Sequence, residues 1–315
     1  MLSECMRRWW LIPLIVVAGA GCMVVQMRPR TEVDTPADAA VRAHVEAHVR
    51  ALGGPRNVLF PEAYAAATAY VEGQLEGLGY DVTRERVGMA DNVAAELPGG
   101  PGIVLLGAHY DSCGDAPGAD DNASGVAAML EVARLLAGRR LAHTVRFVAW
   151  ANEEPPFFQR DGMGSRAAAA HTRARGDDLV AVLALDSVGY YDDAPGSQQW
   201  PMGLGALFPN RADFINVVSR TSSGAQVVRV ASALRRHSSV PVAAGAVPAF
   251  VTGVDWSDHW SYWQEGYDAV MITDMPPFRN PNYHERTDTP DTLDYDRLAR
   301  LTVGLAGAIE ELAGE

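Results

Sequence analysis

Lysine is absent from this chain of 315 residues, in which all 26 basic residues are arginine. The absence excludes a lysine Schiff base, a lysine nucleophile and the phosphate-binding lysine of a P-loop. Basic charge is scarce as well, because 39 acidic residues leave a formal net charge of −13. Phosphate recognition requires a basic surface, so we do not expect nucleic acid to be a partner.

Cysteine is also rare, with three residues at Cys5, Cys22 and Cys113. So few thiols cannot build a disulfide framework or a cysteine-rich zinc site. The Gly-x-Ser-x-Gly turn that presents the nucleophile of many serine hydrolases does not occur. A serine hydrolase mechanism therefore has no obvious nucleophile in this sequence.

The first 30 residues differ in composition from the rest of the chain. Arg7 and Arg8 precede an apolar run from Trp9 to Val25, a pattern that predicts a signal anchor. A lipoprotein signal ending at Ala20-Gly21-Cys22, or a cleaved export signal, is the alternative. We therefore expect residues 1–30 to be a membrane anchor or signal segment outside the fold. Residues 31–315 would then form one domain on the exported side, periplasmic or at the cell surface.

Short apolar runs alternate with segments of helical periodicity along the remaining chain. This alternation predicts an α/β fold, a single domain with a mostly parallel mixed sheet and helices on both faces. The principal predicted strands are 103–106, 145–150, 180–185 and 269–272, and the principal predicted helices are 39–52, 62–78, 126–136, 167–175 and 295–312.

Polar side chains follow three of these strands at the points where the strands end. His109 and Asp111 follow the first strand, Glu153 and Glu154 the second, and Asp186 the third. In an open α/β sheet, ligands bind beyond the carboxyl ends of the strands. We therefore expect these side chains to meet at one edge of the sheet. We expect Asp120 and Asp121, in the loop after the first strand, and His284, near the end of the chain, to lie beside them.

So many carboxylates at one edge are unfavourable unless a cation compensates them. No lysine is available, and Arg286 is the one arginine within these motifs. Imidazole and carboxylate donors suit zinc, with cobalt or manganese as alternatives. The pattern therefore predicts a site for two divalent cations, with one of the adjacent residues Glu153 and Glu154 binding metal and the other transferring protons.

The ordered motifs resemble those of metallopeptidase family 28, the co-catalytic di-zinc exopeptidases related to bacterial leucyl aminopeptidase. The resemblance runs from about residue 40 to residue 315. It rests on His-Tyr-Asp-Ser at 109–112, Gly-Ala-Asp-Asp-Asn-Ala-Ser-Gly at 118–125, Asn-Glu-Glu at 152–154, Leu-Asp-Ser at 185–187, Ser-Asp-His at 257–259 and His-x-x-x-Asp-Thr at 284–289.

The resemblance implies a role for each matching residue. His109 and Asp186 would bind one zinc ion, Glu154 and His284 the other, and Asp120 would bridge them. Glu153 would be the general acid and base, and Asp111 would orient the His109 ring. The remaining implied residues are Asp121 and Asp258 near the substrate pocket, Asp288 beside His284, and a cis peptide bond at Asp120–Asp121.

One loop departs from the family pattern. Residues 155–161 separate the glutamate pair from Gly162-Met163-Gly164-Ser165, and this longer loop resembles that of the related glutaminyl cyclases, which use a single zinc ion. Cys113 lies next to a motif but is interpreted as a bystander, and His259 as a structural residue. The aromatic residues Trp256, Trp260, Tyr262 and Trp263 either shape an apolar specificity pocket or pack in the core.

These observations lead us to expect a zinc-dependent aminopeptidase that acts on peptide substrates. A glutaminyl cyclase with one zinc ion is the nearest alternative, and a non-catalytic receptor or scaffold on the same fold is a further one. The sequence leaves open the side-chain preference, a carboxypeptidase activity and the oligomeric state.

Overall fold

The computed structural model describes residues 17–19, 22–27, 36–201 and 208–314. Within these ranges, ten strands form one sheet and seven α-helices accompany it. The strands are β1 Val17–Gly19, β2 Cys22–Met27, β3 Val82–Val87, β4 Ala90–Leu97, β5 Gly100–His109, β6 His143–Trp150, β7 Asp178–Leu185, β8 Ile215–Arg220, β9 Val242–Val247 and β10 Val270–Thr273. The helices are α1 Ala39–Leu52, α2 Pro61–Gly77, α3 Gly125–Leu136, α4 Gly164–Arg175, α5 Gly224–His237, α6 His259–Gln264 and α7 Tyr295–Gly314.

The strand order across the sheet is β1-β2-β9-β8-β10-β7-β5-β6-β4-β3. The central strands β10, β7, β5 and β6 are parallel, as are β8 and β9. The other five pairings are antiparallel. The expected mixed sheet is confirmed, but the expectation that it is mostly parallel is wrong outside its centre. Short connections such as the β3–β4 hairpin can join only antiparallel neighbours, whereas parallel strands require long crossovers.

Helices cover both faces of the sheet, as predicted. Helices α1, α2, α3, α5 and α7 contribute to one buried apolar cluster, and α4 and α6 to a second one on the opposite face. Strand β5 contributes to both, because Leu106 belongs to the first cluster and Leu105 to the second. The uninterrupted apolar run 103–106 therefore reflects a central strand that is buried on both faces.

The N-terminal strands extend the sheet at one edge. Strand β2 pairs antiparallel with β9, with Val25 opposite Ala246. This pairing differs from the expectation that residues 1–30 lie outside the fold. The other residues of the predicted anchor lie outside the described residues, so its role in a membrane stays a prediction. In the part of the chain that the structure describes, no helix combines the length and apolar character needed to cross a membrane.

The first predicted helix, 39–52, is confirmed as α1 Ala39–Leu52. Asp38 is the N-cap, and its carboxylate accepts hydrogen bonds from the backbone N–H groups of Ala40 and Val41. A side-chain acceptor at this position satisfies donors that the helix leaves unpaired.

Candidate metal centre

Three adjacent parallel strands deliver the predicted side chains to one edge of the sheet. His109 is the last residue of β5, Glu153 and Glu154 follow β6, and Asp186 follows β7 directly. Strand β5 lies between β6 and β7 in the sheet. The convergence predicted from the sequence is therefore confirmed, and it follows from the shared direction of the three strands.

The His109 ring lies at the centre of one group of acidic side chains. Its Nε2 atom is 3.3 Å from Oδ1 of Asp121, 3.9 Å from Oδ1 of Asp186 and 4.0 Å from Oε2 of Glu153. Its Nδ1 atom is 3.5 Å from Oδ1 of Asp111. The residue is 1% exposed, and neither ring nitrogen has a hydrogen-bond partner among the described residues. A buried imidazole with both nitrogens unpartnered is suited to bind a metal ion.

The His284 ring approaches the same aspartate from the other side. Its Nε2 atom is 3.1 Å from Oδ2 of Asp121 and 3.4 Å from Oε1 of Glu154. The ring stacks on Tyr283, with centroids 3.8 Å apart. The two oxygens of Asp121 thus face one imidazole each, which is the arrangement of a carboxylate that bridges two metal positions.

The structure corrects the predicted role of Asp120. Its Oδ1 atom accepts a hydrogen bond from the backbone N–H of Gly189 at 2.9 Å, and its Oδ2 atom accepts one from Nδ2 of Asn280 at 2.7 Å. These bonds turn the carboxylate away from the imidazoles, so Asp121 is the residue placed to bridge. The cis peptide bond is likewise one residue later than expected, at Asp121–Asn122.

Asp111 connects the ends of two strands. Its carboxylate oxygens accept hydrogen bonds from the backbone N–H groups of Glu153 and Glu154, both at 3.0 Å. The same carboxylate faces Nδ1 of His109, as the sequence interpretation requires. One side chain therefore fixes both the first imidazole and the glutamate pair.

Asp288 does not occupy its predicted position beside His284. Its two oxygens accept hydrogen bonds from the backbone N–H groups of Asp120 and Asp121, at 2.9 and 3.2 Å. No hydrogen bond joins it to His284 among the described residues. Asp288 instead pairs with the backbone N–H groups of the aspartate loop and thereby holds Asp121 in place.

Asp258 and His259 have different environments although they are neighbours. Asp258 is fully buried, and neither of its carboxylate oxygens has a hydrogen-bond partner in the described ranges. His259 is structural, as predicted, since its Nε2 atom bonds to the carbonyl oxygen of Val254 at 2.8 Å and its ring packs against the edge of Trp263.

Electrostatic effects at this edge favour bound cations. Burial raises the pKa of Glu153 well above its ordinary value, and it raises the pKa of Glu154 and of Asp258 to about 7. Burial opposes the protonation of His109, but the nearby carboxylates, Glu153 foremost, raise its pKa well above the ordinary value. Negative charge is thus concentrated where water solvates it poorly, and a cation bound there is stabilised.

Two residues outside the predicted site shape its loops. Arg56 is buried, and its side chain donates five hydrogen bonds to backbone carbonyl oxygens, including those of Tyr110 and Gly118. Asn122 accepts from the backbone N–H of Ser187 and donates to the carbonyl oxygen of Leu185. The sequence carries no signal for Arg56, because its partners are backbone atoms of distant loops.

The donor set fits zinc ions at two positions. The donor atoms of His109, Asp121 and Asp186 all lie within 4.8 Å of one another, and so do those of His284, Glu154 and Cys113. One oxygen of Glu154 is buried without a hydrogen-bond partner. Imidazole nitrogen and carboxylate oxygen are common zinc ligands, and buried carboxylates without a partner require a cation.

An apolar cavity of about 490 Å³ opens beside the metal centre. Asp186 and Tyr283 line it at the end near the imidazoles. Of the four predicted aromatic residues, Trp256 lines the cavity, whereas Tyr262 and Trp263 are buried in the core with Trp260 packed against them. Most of the remaining lining is apolar, including Val218, Gly245, Phe250, Met271 and Phe278.

Comparisons with known proteins agree with this geometry. The sequence profile of peptidase family M28 matches residues 92–308. Uncharacterized protein YfbL of Escherichia coli (strain K12) is 40% identical over 250 residues, 75% of this chain and 76% of YfbL. A probable leucine aminopeptidase 1 of Trichophyton verrucosum is 29% identical over 237 residues, 70% of this chain and 58% of that protein. The chain therefore spans less than two thirds of the fungal relative.

Solved structures share the fold. The glutaminyl cyclase of Fimbriiglobus ruber superimposes with a TM-score of 0.63 and 18% identity over 90% of this chain and 99% of the cyclase. Structures of aminopeptidases superimpose as well. At such low identity the similarity concerns the fold alone, so the chemistry has to be argued from the site.

Proposed function

The chain belongs to peptidase family M28, and we propose that it is a zinc-dependent aminopeptidase that releases residues from the N-termini of peptides. The observation that carries this proposal is the position of Asp121, whose two oxygens face His109 and His284, with Glu153 at the same edge. The fungal leucine aminopeptidase among the relatives supports the same activity.

Two zinc ions are held in this proposal. His109 and Asp186 would hold one ion, Glu154 and His284 would hold the other, and Asp121 would contribute an oxygen to each. When bound, zinc polarises the carbonyl group of the scissile bond and lowers the pKa of a water molecule. Asp111 keeps the His109 ring and the glutamate pair in position for this chemistry.

Glu153 transfers the proton. Its side chain is buried, its backbone is fixed by Asp111, and its Oε2 atom lies at the edge of the His109 group. The carboxylate accepts a proton from the attacking water and then returns it to the departing amine. Burial raises the pKa of Glu153, which favours a group that must both accept and donate a proton.

The adjacent cavity defines the substrate preference. Its lining is mostly apolar, and Asp186 connects it to the metal centre. An N-terminal residue with a large apolar side chain, such as leucine or phenylalanine, buries that side chain there while its carbonyl group lies at the metal centre. Burial of a leucine or phenylalanine side chain stabilises binding by about 1.5–3 kcal/mol.

Glu153→Gln tests the proposal directly. The variant keeps the size of the side chain but cannot accept the proton, so we expect the hydrolysis of leucine p-nitroanilide to fall by about 10²–10⁴-fold. Its zinc content should remain that of the wild type. Glu62→Gln, at an exposed glutamate of α2, is the matched control and should retain full activity.

The blocked substrate N-acetyl-leucine p-nitroanilide should resist the wild-type enzyme, since an aminopeptidase requires a free amine. Undiminished hydrolysis by Glu153→Gln would overturn the role of Glu153. Cleavage of blocked and free substrates at equal rates would overturn the aminopeptidase assignment. A protein that binds zinc but hydrolyses neither substrate would favour the non-catalytic scaffold.

A glutaminyl cyclase is the second candidate, because the longer loop at residues 155–161 resembles that of the cyclases. The superposition with the F. ruber enzyme, which extends over 99% of that enzyme, shows that the fold is compatible with this activity. Such an activity uses one zinc ion and converts an N-terminal glutamine into pyroglutamate with loss of ammonia. Incubation of a glutamine-initiated peptide separates the two activities. Free glutamine is expected from the aminopeptidase, whereas a cyclised peptide and one zinc ion per chain would favour the cyclase.

The location that we propose is extracytoplasmic, with residues 1–30 attaching the domain to a membrane. The apolar run from Trp9 to Val25 after two arginines is typical of a signal anchor or export signal and supports this placement. Full-length protein expressed in bacteria should sediment with membranes and be accessible to protease in spheroplasts. Release by Cys22→Ser would favour a lipoprotein over a signal anchor, and recovery of wild-type protein in the soluble cytoplasmic fraction would contradict both.

A further inference from the structure

Cys113 lies beside the second metal position. Its Sγ atom and donor atoms of Glu154 and His284 all lie within 4.8 Å of one another. On a tetrahedral zinc ion, a sulfur ligand at about 2.3 Å and a nitrogen ligand at about 2.1 Å lie about 3.6 Å apart. The donor atoms of the three side chains therefore have to approach one another by at most about 1 Å to share one ion.

Glu154 provides an independent sign that this group binds a cation. The residue is 4% exposed, and its Oε1 atom has no hydrogen-bond partner. That same oxygen is 3.4 Å from Nε2 of His284. A buried carboxylate oxygen without a partner is costly unless a cation is bound beside it.

The backbone around Cys113 is held from both sides. Nδ2 of Asn57 donates hydrogen bonds to the carbonyl oxygens of Ser112 and Gly114, both at 2.7 Å. The carbonyl oxygen of Cys113 itself accepts from the backbone N–H of Ala116 at 2.9 Å. The residue is half-buried and forms no disulfide within the part of the chain that the structure describes. It is therefore presented to the metal position by a fixed loop, as a preorganised ligand requires.

We propose that Cys113 supplies a thiolate ligand to the zinc ion held by Glu154 and His284. On binding, the thiol loses its proton to solvent and its sulfur forms a bond to zinc. The inference rests on the proposed function for the presence of zinc at this position. It makes the two positions chemically unequal, since the His109 group offers nitrogen and oxygen whereas the His284 group adds sulfur.

This inequality has a measurable consequence for metal selection. Thiolate favours soft ions such as cadmium and zinc over manganese and magnesium. The second position should therefore retain zinc or cadmium in the presence of excess manganese, while the first position exchanges more readily. Cys113→Ser should weaken zinc binding at the second position by at least about 10-fold, because loss of even an outer-shell partner of a metal ligand costs about 10–100-fold.

The test uses full-length protein and two spectroscopic probes. X-ray absorption of the zinc-loaded wild type should show a sulfur neighbour at about 2.3 Å, and the cobalt-substituted protein should show a thiolate-to-cobalt charge-transfer band. Both signals should disappear in Cys113→Ser and persist in the matched control Cys5→Ser/Cys22→Ser. Circular dichroism and thermal unfolding establish that each variant is folded.

Failure of this inference is distinguishable from failure of the proposed function. A zinc-loaded, active wild type without a sulfur neighbour would overturn the thiolate ligand and leave the aminopeptidase standing. A sulfur signal in protein that hydrolyses no peptide would support the ligand and contradict the function. Persistence of both signals in Cys113→Ser would also overturn the inference, and should Cys113→Ser not fold, Cys113→Ala replaces it.

Discussion

Substituting each member of the aspartate pair in turn separates a bridging carboxylate from a structural one. In Asp121→Asn, the side chain keeps its size but loses the charge that faces His109 at 3.3 Å and His284 at 3.1 Å. A unit charge pair at about 4 Å contributes roughly 4 kcal/mol at an effective dielectric constant of about 20. Loss of one such interaction corresponds to a decrease in zinc affinity on the order of 10³-fold.

Asp120→Asn is the matched variant with a different expected result. Its new amide group would face either the backbone N–H of Gly189 or the side-chain amide of Asn280, both of which donate to Asp120. One buried donor then loses its acceptor, which destabilises the fold by about 1–3 kcal/mol. We expect this variant to unfold at lower urea concentration but to keep its zinc.

The assay is zinc per chain after dialysis against a buffered free zinc concentration, together with leucine p-nitroanilide hydrolysis. Asp121→Asn should lose zinc and activity together, and Asp120→Asn should retain both at low temperature. The opposite pattern, with zinc lost from Asp120→Asn and kept in Asp121→Asn, would refute the bridging assignment. Equal zinc content in both variants would show that neither carboxylate bridges.

Three further predictions concern the cavity, the loops and pH. Gly245 lines the cavity, and an added Cβ has open space around it, so Gly245→Val should fill part of the cavity without displacing a neighbour. The variant should therefore raise KM for phenylalanine substrates more than for alanine substrates. Equal effects on both substrates would contradict the assigned pocket. Arg56→Leu should lower the free energy of unfolding, measured in urea, by at least about 3 kcal/mol, since five carbonyl oxygens lose a buried donor. The control Arg50→Leu, at an exposed arginine, should lower the free energy of unfolding by less than about 1 kcal/mol. Burial lowers the pKa of His48 to about 4, below its unfolded value of about 6.5, so its contribution to stability is present above pH 6.5 and is lost as the pH falls toward 4. Between pH 7 and pH 5, the wild type should lose on the order of 1 kcal/mol more stability than His48→Gln, and identical pH profiles would contradict this reasoning.

Much of the site could be predicted from the order of residues along the chain. His109, Glu153, Glu154 and Asp186 follow apolar runs, and parallel neighbouring strands carry their ends to a common edge. Apolar periodicity predicted both the first and the last residue of helix α1. These features depend on local apolar patterns and on the direction of single strands, and both can be read from a short stretch of sequence.

The roles within loops could not be predicted in the same way. Asp120 and Asp121 are identical in type and adjacent, so only the path of the backbone decides which carboxylate faces the imidazoles. That path depends on hydrogen bonds that the backbone N–H groups of Asp120 and Asp121 donate to Asp288, which is 168 residues away from Asp120. The antiparallel pairings of β2 with β9 and of β8 with β10 were not predicted, because the choice of a partner strand depends on tertiary packing and not on the apolar pattern of either strand.

The sequence by itself indicated a metal site built of histidines and carboxylates, with zinc foremost and cobalt or manganese as alternatives, because the chain has few cysteines and no lysine and its polar residues follow buried strands. The tertiary structure alone decided that Asp121 faces both imidazoles, that Asp288 supports the loop, and that an apolar cavity opens beside Asp186. It also placed Cys113 with Glu154 and His284. The physical reason is that loop positions depend on hydrogen bonds between distant residues, whereas strand ends depend on local apolar runs.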